Sequence, residues 1–368
     1  MKQYIKQRIQ RIFDAIDYPL DCILIKNEGE TVIDKNFFYL TGLSTGLFEG
    51  CYVVIYPDGS FDLFVSELEA ELAKQTEGTL HIFKSKLDLQ NQLQKTIGSL
   101  THIGLNYTGI SHFEYQHVIN EYSQITFHNV SNAFVKARMI KDAIELEAIK
   151  KACAISDRVA EKIPSLITVD MTEDDLAAVI TYHLLRYGAV ASAFETISSF
   201  GAHSSQPHYT HGNTRLKDGD FILCDFGAKH HQYHSDITRT FVYRGKTSQQ
   251  QEIYNTVQHA QNAALECIQP GIPAQQVHAA ACQVIDKSPY KGRFIHSTGH
   301  SLGLSVHDGG IGFTDTCQIL LEPGMVLTVE PGIYIPSVGG VRIEDDIVVT
   351  KQGFEMLSHA KKSFLEIL

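Results

Sequence analysis

Two aspartates on neighbouring β-prone segments place the strongest single constraint on this chain. The apolar run Phe221 to Leu223 leads into Asp225, and the run Ile237 to Tyr243 begins directly after Asp236, with a polar, histidine-rich stretch between them. This pattern predicts a β-hairpin with one carboxylate on each arm. Facing residues of a hairpin lie within about 5 Å on one face. The two like charges are therefore expected to share a proton or bind a cation, unless both are solvated turn residues.

Three further segments carry polar residues that folding alone does not explain. The first presents His296, His300 and His307, with glycines that favour a turn or strand over a helix. The second is a β-branched strand that ends in Glu330 before a Pro-Gly turn, and the third places Glu344 in an otherwise apolar strand. A buried carboxylate needs an ionic partner or a metal. Structural ion pairing and structural histidines remain the alternatives for each segment taken singly.

Four carboxylates and one imidazole therefore form a candidate metal-binding set. Its members are Asp225, Asp236, His300, Glu330 and Glu344. Four negative charges would balance two divalent ions, and a pair of ions about 3.5 to 4 Å apart is the arrangement of dinuclear hydrolases. Ligands that are mostly oxygen suit a harder ion, so Mn²⁺ is expected first, with Co²⁺ or Zn²⁺ as alternatives.

The composition narrows the functional classes. A length of 368 residues predicts two domains, and a net charge of −11 argues against a general nucleic-acid binder. No apolar run approaches the roughly 20 residues that span a bilayer, so no membrane partner is expected. The segment Met1 to Ile16 has helical spacing and does not match a signal peptide. Seven cysteines without a C-x-x-C pair are expected to be reduced in a cytoplasmic protein.

Strands and helices alternate through about residue 130, which predicts one α/β domain. Residues 36–40 are predicted as a strand, and Tyr52 to Tyr56 with Phe61 to Val65 as a hairpin. A long amphipathic helix from Asp142 to about Ile163 indicates the domain boundary. Gly42 to Gly46 matches the G-x-S-x-G text of a hydrolase elbow, but no helical pattern follows its serine, so a catalytic serine is not expected there.

The order of these motifs resembles the prolidase and aminopeptidase P metallopeptidases of the pita-bread fold. The chain has Asp-(10 residues)-Asp-Ile-Thr-Arg-Thr, then Gly-His-(6 residues)-His, Val-Glu-Pro-Gly and Arg-Ile-Glu-Asp, with specific matches from about His208 to Val349. The resemblance implies an α+β chain with two domains. An N-terminal α/β, creatinase-like domain would span residues 1–135, and a catalytic pita-bread metallopeptidase domain would span residues 136–368.

The resemblance also implies a role for each matched residue. Asp236 and Glu344 would bridge two divalent ions, Asp225 would complete one site, and His300 with Glu330 would complete the other. The residues implied to act on substrate or in catalysis, with Glu330 also a candidate proton carrier, are His208, His296, His307, Glu330 and Arg342. No organic cofactor is expected. The filled ligand set argues against a creatinase activity.

The activity implied is hydrolysis of the peptide bond before proline by a hydroxide held between two metal ions, in an Xaa-Pro dipeptidase or an Xaa-Pro aminopeptidase. The substrate would be a proline-containing peptide, and the resemblance implies a homodimer. Two alternatives stay open: an aminopeptidase like methionine aminopeptidase, and a binding relative that kept the fold without catalysis. The sequence does not separate dipeptidase from aminopeptidase, because loops outside the motifs would set that limit.

Overall fold

The computed structural model describes residues 3–29 and 32–368, and the chain divides into two compact units, Met1–Arg138 and Met139–Leu368. Met1 and Lys2, where the predicted first helix begins, lie outside the described residues. The described part of the first unit contains the helices α1 (Gln3–Asp14), α2 (Asn36–Thr41), α3 (Ala70–Ala73), α4 (Lys86–Ile97), α5 (His112–Glu121) and α6 (Ser131–Met139). Its strands are β1 (Cys22–Lys26), β2 (Tyr52–Ile55), β3 (Phe61–Ser66), β4 (Thr79–Phe83), β5 (His102–Leu105) and β6 (Thr126–Asn129).

These six strands form one mixed sheet in the order β4-β3-β2-β1-β5-β6. The β2–β3 hairpin is antiparallel, with Ile55 opposite Phe61, as the turn chemistry between the strands predicts. Apolar residues of α4, Leu89, Leu93 and Ile97, recur at helical spacing and join Leu24 of β1 in one buried cluster. Burial of this helix face holds α4 on the sheet.

The strand predicted for residues 36–40 is wrong, because the segment forms α2. All six residues of α2 are buried. Its aromatic side chains therefore pack on every side of the helix, and they do not alternate between a buried and an exposed face as in a strand. Asp34 accepts a hydrogen bond from the Asn36 N–H (2.9 Å), and Gly42 ends the helix in the left-handed conformation (φ 67°). The chain after Ser44 enters no helix, as expected for a G-x-S-x-G match without catalytic meaning.

The second unit contains longer helices and several small sheets. Its helices are α7 (Ala143–Lys162), α8 (Glu173–Arg186), α9 (Ser248–Cys267) and α10 (Ala274–Asp286), with short 3-10 helices at Ile163–Ser165 and Gly201–Ser205. Its strands are β7 (Ala191–Ser192), β8 (Ile197–Phe200), β9 (Phe221–Phe226), β10 (Ala228–His230), β11 (Tyr233–His234), β12 (Ile237–Tyr243), β13 (Val326–Val329), β14 (Gly332–Ile335), β15 (Gly339–Arg342), β16 (Asp345–Thr350), β17 (Gly353–Met356) and β18 (Glu366–Ile367). The sheets run β11-β10-β7, β18-β12-β9-β8, β13-β16-β17 and β14-β15.

Side-chain capping fixes where the long helices of this unit begin. Asp142 accepts hydrogen bonds from the backbone N–H groups of Ile144 and Glu145 and so caps α7. Thr172 caps α8 and Thr247 caps α9, each in a capping box. The capping box at Thr172 sets the start of α8 at Glu173.

The helices of this unit cover the strands in two pairs. Residues of α7 and α8 pack with Ile222, Cys224 and Phe226 of β9 in one buried cluster, and α9 and α10 pack with β13 and β16 in another. Side chains alternate between the two faces of a strand, so Leu223 and Asp225 point away from α7 and α8. Among the described residues, no helix is long and apolar enough to cross a membrane.

Candidate metal centre

Strands β9 and β12 bring the two predicted aspartates together. They pair antiparallel with Asp225 opposite Thr238, and β10 with β11 forms the tip of the hairpin. Asp236 directly precedes β12 and lies two residues before Thr238, so its side chain shares the face that Thr238 and Asp225 present. The predicted hairpin with one carboxylate on each arm is confirmed, and both aspartates are buried.

Two glutamates enter the same region from strand ends. Glu330 follows β13, and its backbone N–H donates to the Thr298 carbonyl (2.8 Å). Glu344 was predicted within a strand, but it lies in the two-residue break between β15 and β16. That break lets the Glu344 N–H donate to the Thr238 carbonyl (3.2 Å), while the Thr238 hydroxyl donates to Glu344 Oε2 (2.6 Å).

The imidazole of His300 comes from an irregular segment, as its glycines predict. Gly299 makes the approach possible, because a Cβ there would lie 1.9 Å from the Thr328 carbonyl oxygen. His300 Nε2 is 3.6 Å from Asp236 Oδ2 and 3.5 Å from Glu330 Oε1. One ligand atom each from Asp236, His300 and Glu344 lies within 4.8 Å of the others, which is close enough for all three to contact one ion.

The carboxylates are crowded and incompletely satisfied. Buried oxygens Asp225 Oδ1 and Asp236 Oδ1 have no hydrogen-bond partner among the described residues. Burial and the negative charges of Glu344 and Asp225 raise the pKa of Asp236 well above its usual value. Burial raises the pKa of Glu344 well above its usual value, and burial raises the pKa of Glu330 to about 7. Positive charge would stabilise buried carboxylates whose oxygens have no partner among the described residues and whose pKa values are raised, so these residues fit divalent ions.

A hydrogen-bonded chain joins Arg342, Tyr334 and His296 beside the carboxylates. Arg342 Nη2 donates to Asp225 Oδ2 (2.5 Å) and Nη1 to the Tyr334 hydroxyl (2.8 Å). That hydroxyl is 2.8 Å from His296 Nε2, and His296 Nδ1 is 2.7 Å from the Ser297 carbonyl. Burial and the Arg342 charge lower the pKa of His296 to about 3. His296 is therefore neutral, with its proton on Nδ1 and Tyr334 donating to Nε2.

One cavity of about 380 Å³ is lined by all the candidate site residues that were identified from the sequence. Its lining includes Asp225, Asp236, His300, Glu330, Glu344, His208, His296, His307 and Arg342. His307 lies with its ring centroid 4.1 Å from that of His300, and burial with that neighbour lowers the pKa of His307. His208 is exposed on the turn after the 3-10 helix Gly201–Ser205.

Sequence reasoning missed the polar residues that support this set. Thr238 holds Glu344, Thr328 donates to Glu330 Oε1 (3.2 Å), and Tyr334 links Arg342 to His296. Thr238 could have been found, because it stands two residues after Asp236 on a strand and must share its face. Tyr334 gave no comparable signal, since its hydroxyl bonds to Arg342 and His296, which lie in other segments.

Two family models cover nearly the whole chain. The model for metallopeptidase family M24 matches residues 147–351, and that for the creatinase/prolidase N-terminal domain matches residues 6–140. An Xaa-Pro dipeptidase from Pyrococcus furiosus is 34% identical over 351 residues, which is 93% of this chain and 98% of that protein.

Solved structures of similar proteins have the same fold over their full length. An X-Pro aminopeptidase from Thermotoga maritima superposes with a TM-score of 0.90 at 29% identity, covering 97% of this chain and 100% of that one. An Xaa-Pro dipeptidase from Bacillus anthracis gives a TM-score of 0.90 at 29% identity, covering 98% and 99%. The predicted α+β architecture, a creatinase-like N-terminal domain before a pita-bread domain, is confirmed by these matches.

Proposed function

The chain belongs to metallopeptidase family M24, and on that premise we propose that it hydrolyses the peptide bond preceding proline, as an Xaa-Pro dipeptidase or an Xaa-Pro aminopeptidase. The main support is the gathering of four carboxylates and one imidazole in a single cavity, where two buried carboxylate oxygens have no partner among the described residues. The relatives of this chain include an Xaa-Pro dipeptidase and an X-Pro aminopeptidase, so both activities are proposed.

Two divalent ions would be held by the carboxylate cluster. Asp236 and Glu344 would bridge them, Asp225 would complete one site, and His300 with Glu330 would complete the other. The proximity of Asp236, His300 and Glu344 supports this assignment. When bound, such ions polarise a carbonyl oxygen and lower the pKa of a coordinated water.

The chain's own residues would handle protons and orient the peptide. Glu330, which lines the cavity and accepts a hydrogen bond from the Thr328 hydroxyl, would accept a proton from the attacking water. It would return that proton to the prolyl nitrogen as the C–N bond breaks. His208, His296 and His307, which all line the cavity, would donate or accept hydrogen bonds around the scissile carbonyl and help transfer protons. Arg342 would hold Asp225 in place through its 2.5 Å contact.

The chemistry of proline would explain why the bond before it needs a dedicated enzyme. An Xaa-Pro amide has no N–H, so a protease that requires this donor cannot bind it productively. The competing activity within the fold is that of a methionine-aminopeptidase-like enzyme, and the non-enzymatic alternative is a binding relative. The unbroken ligand set favours catalysis over binding alone.

The deciding experiment measures three peptides in parallel on chelator-stripped protein with Mn²⁺ added back. The substrates are an Xaa-Pro dipeptide, an Xaa-Pro-Yaa tripeptide and a proline-free Met-Ala-Ser tripeptide. Cleavage of the dipeptide alone identifies a dipeptidase, and efficient cleavage of the proline tripeptide identifies an aminopeptidase P. Preference for Met-Ala-Ser would support the methionine-aminopeptidase-like alternative, and no cleavage of any peptide by metal-loaded protein would favour the binding relative.

Metal uptake by the chelator-stripped protein is expected to release protons. The raised pKa values of Asp236, Glu344 and Glu330 mean that the metal-free cluster holds protons near neutral pH. A cation must displace them, so affinity should fall as pH falls, with about one proton or more released per protein. Calorimetric titration in two buffers of different ionisation enthalpy measures this number. Identical heats in both buffers, with metal bound, would contradict the expected proton release.

Finer features of the site and the molecule remain part of the proposal. We propose Mn²⁺ as the preferred ion, with Co²⁺ or Zn²⁺ as alternatives, on the oxygen-rich ligand set. A homodimer in the cytoplasm, and domain limits of 1–135 and 136–368, are proposed from the family resemblance. Reconstitution with each ion separately tests the choice of metal, and sedimentation analysis tests the homodimer.

A further inference from the structure

The turn that carries His208 has little regular structure of its own to hold it. It follows the 3-10 helix Gly201–Ser205 and ends near Thr210, whose carbonyl accepts from the Ser198 N–H (2.6 Å). His208 lines both the metal-site cavity and an adjoining space of about 600 Å³. A side chain at this junction keeps a defined position relative to substrate only if contacts with other elements of the fold fix its backbone.

Glu173, the first residue of α8, contacts both ends of this turn. Its Oε1 accepts from the Phe200 N–H (2.8 Å) and lies 3.0 Å from His203 Nδ1. Its Oε2 accepts from the Tyr209 hydroxyl (2.8 Å). Tyr209 is the immediate neighbour of His208, so one carboxylate ties residues before and after the histidine to the start of one helix.

The position of Glu173 suits a fixed negative charge. The residue is fully buried, and the N-terminus of a helix stabilises a carboxylate through the helix dipole. Three donors aim at its two oxygens, and hydrogen bonds to an ionised acceptor are stronger than neutral ones. The His203 and Tyr209 rings also lie against each other, with centroids 4.3 Å apart, which makes the turn compact.

We propose that Glu173 is a positioning residue for the peptidase reaction, which holds His208 at the cavity through Tyr209 and the backbone of Phe200. The proposal rests on the role given to His208 in the proposed function. Glu173 lines neither the cavity nor the adjoining space, so it acts through the turn and not on substrate.

The test is a double-mutant cycle of Glu173→Gln and His208→Ala, read as kcat/KM on the cleaved proline peptide. Glutamine keeps the volume but offers one acceptor oxygen to three donors. We expect Glu173→Gln to lower kcat/KM about tenfold in the wild-type background and by less than about twofold in the His208→Ala background. Bound metal should be unchanged throughout. Glu161→Gln, the same substitution at an exposed position of α7, is the matched control and should keep full activity.

Tyr209→Phe provides a milder second variant, because it removes one hydrogen bond while the ring stays beside His203. We expect a small fall in melting temperature, because a buried acceptor loses one of its donors, and about a threefold loss in kcat/KM that again depends on the presence of His208. If Glu173→Gln does not fold, this variant tests whether the contact between Glu173 and Tyr209 acts through His208.

Each alternative outcome is distinguishable. Equal losses in both backgrounds would overturn the inference, because Glu173 would then act on the fold or on another group. No loss for either variant would also overturn it, while the proposed function would stand. Full activity of His208→Ala would overturn the role of His208 and this inference with it. Failure of the wild-type protein on every peptide, with metal bound, would overturn the proposed function itself.

Discussion

Replacing Asp236 with alanine should abolish both tight binding of divalent ions and turnover. Asp236 Oδ2 lies 3.6 Å from His300 Nε2, and Oδ1 is buried without a partner among the described residues, so in the proposed dinuclear centre the side chain would offer one oxygen to each ion. We expect turnover to fall by about four orders of magnitude, equivalent to roughly 5 kcal/mol of transition-state stabilisation. Metal analysis after dialysis, alongside proline release, measures both effects.

The fold should survive this change. The Asp236 backbone N–H donates to Asp346 Oδ2 (2.9 Å), and alanine keeps that bond. Because burial and neighbouring carboxylates raise the pKa of Asp236, its removal relieves crowding, and the metal-free variant should melt no lower than metal-free wild type. Asp218→Ala, an exposed aspartate of the same unit, is the control. A variant that binds both ions and turns over normally would contradict the bridging role.

The hairpin of the candidate site could be predicted because the residues that specify its two strands are close together in the sequence. Asp225 ends one apolar run and Asp236 precedes another, and the strand period then fixes which face each occupies. Glu330 and His300 could be singled out for the same reason, as polar residues at the end of an apolar run or among glycines. Their joint position in one cavity followed from the family motif order and not from any local pattern.

The supporting contacts could not be predicted, because they join distant segments. Thr238 and Glu344 are 106 residues apart, yet form a 2.6 Å hydrogen bond, and Tyr209 is held by Glu173, which is 36 residues away. The error at α2 has a related cause. Its run of aromatic residues has strand propensity, but burial on all sides and a left-handed glycine after it favour a helix.

Replacing His208 with alanine should cost rate while leaving the metal in place. His208 lines the cavity together with His296 and His307. The imidazole proposed as a metal ligand is that of His300, whose Nε2 lies 3.5 Å from Glu330 Oε1. We expect kcat to fall about 10² to 10³-fold, the usual contribution of a positioned acid–base or hydrogen-bonding group, with unchanged metal content.

The decisive readout is metal content and kcat on the same sample. His259→Ala, an exposed histidine of α9, controls for the loss of an imidazole and should keep full rate. Loss of metal from His208→Ala would place His208 among the ligands, and an unchanged kcat would remove it from the reaction. A lower kcat at full metal occupancy would assign His208 to substrate contact or proton transfer and not to metal binding. That result would separate the residues that bind metal from the turn that Glu173 holds beside them.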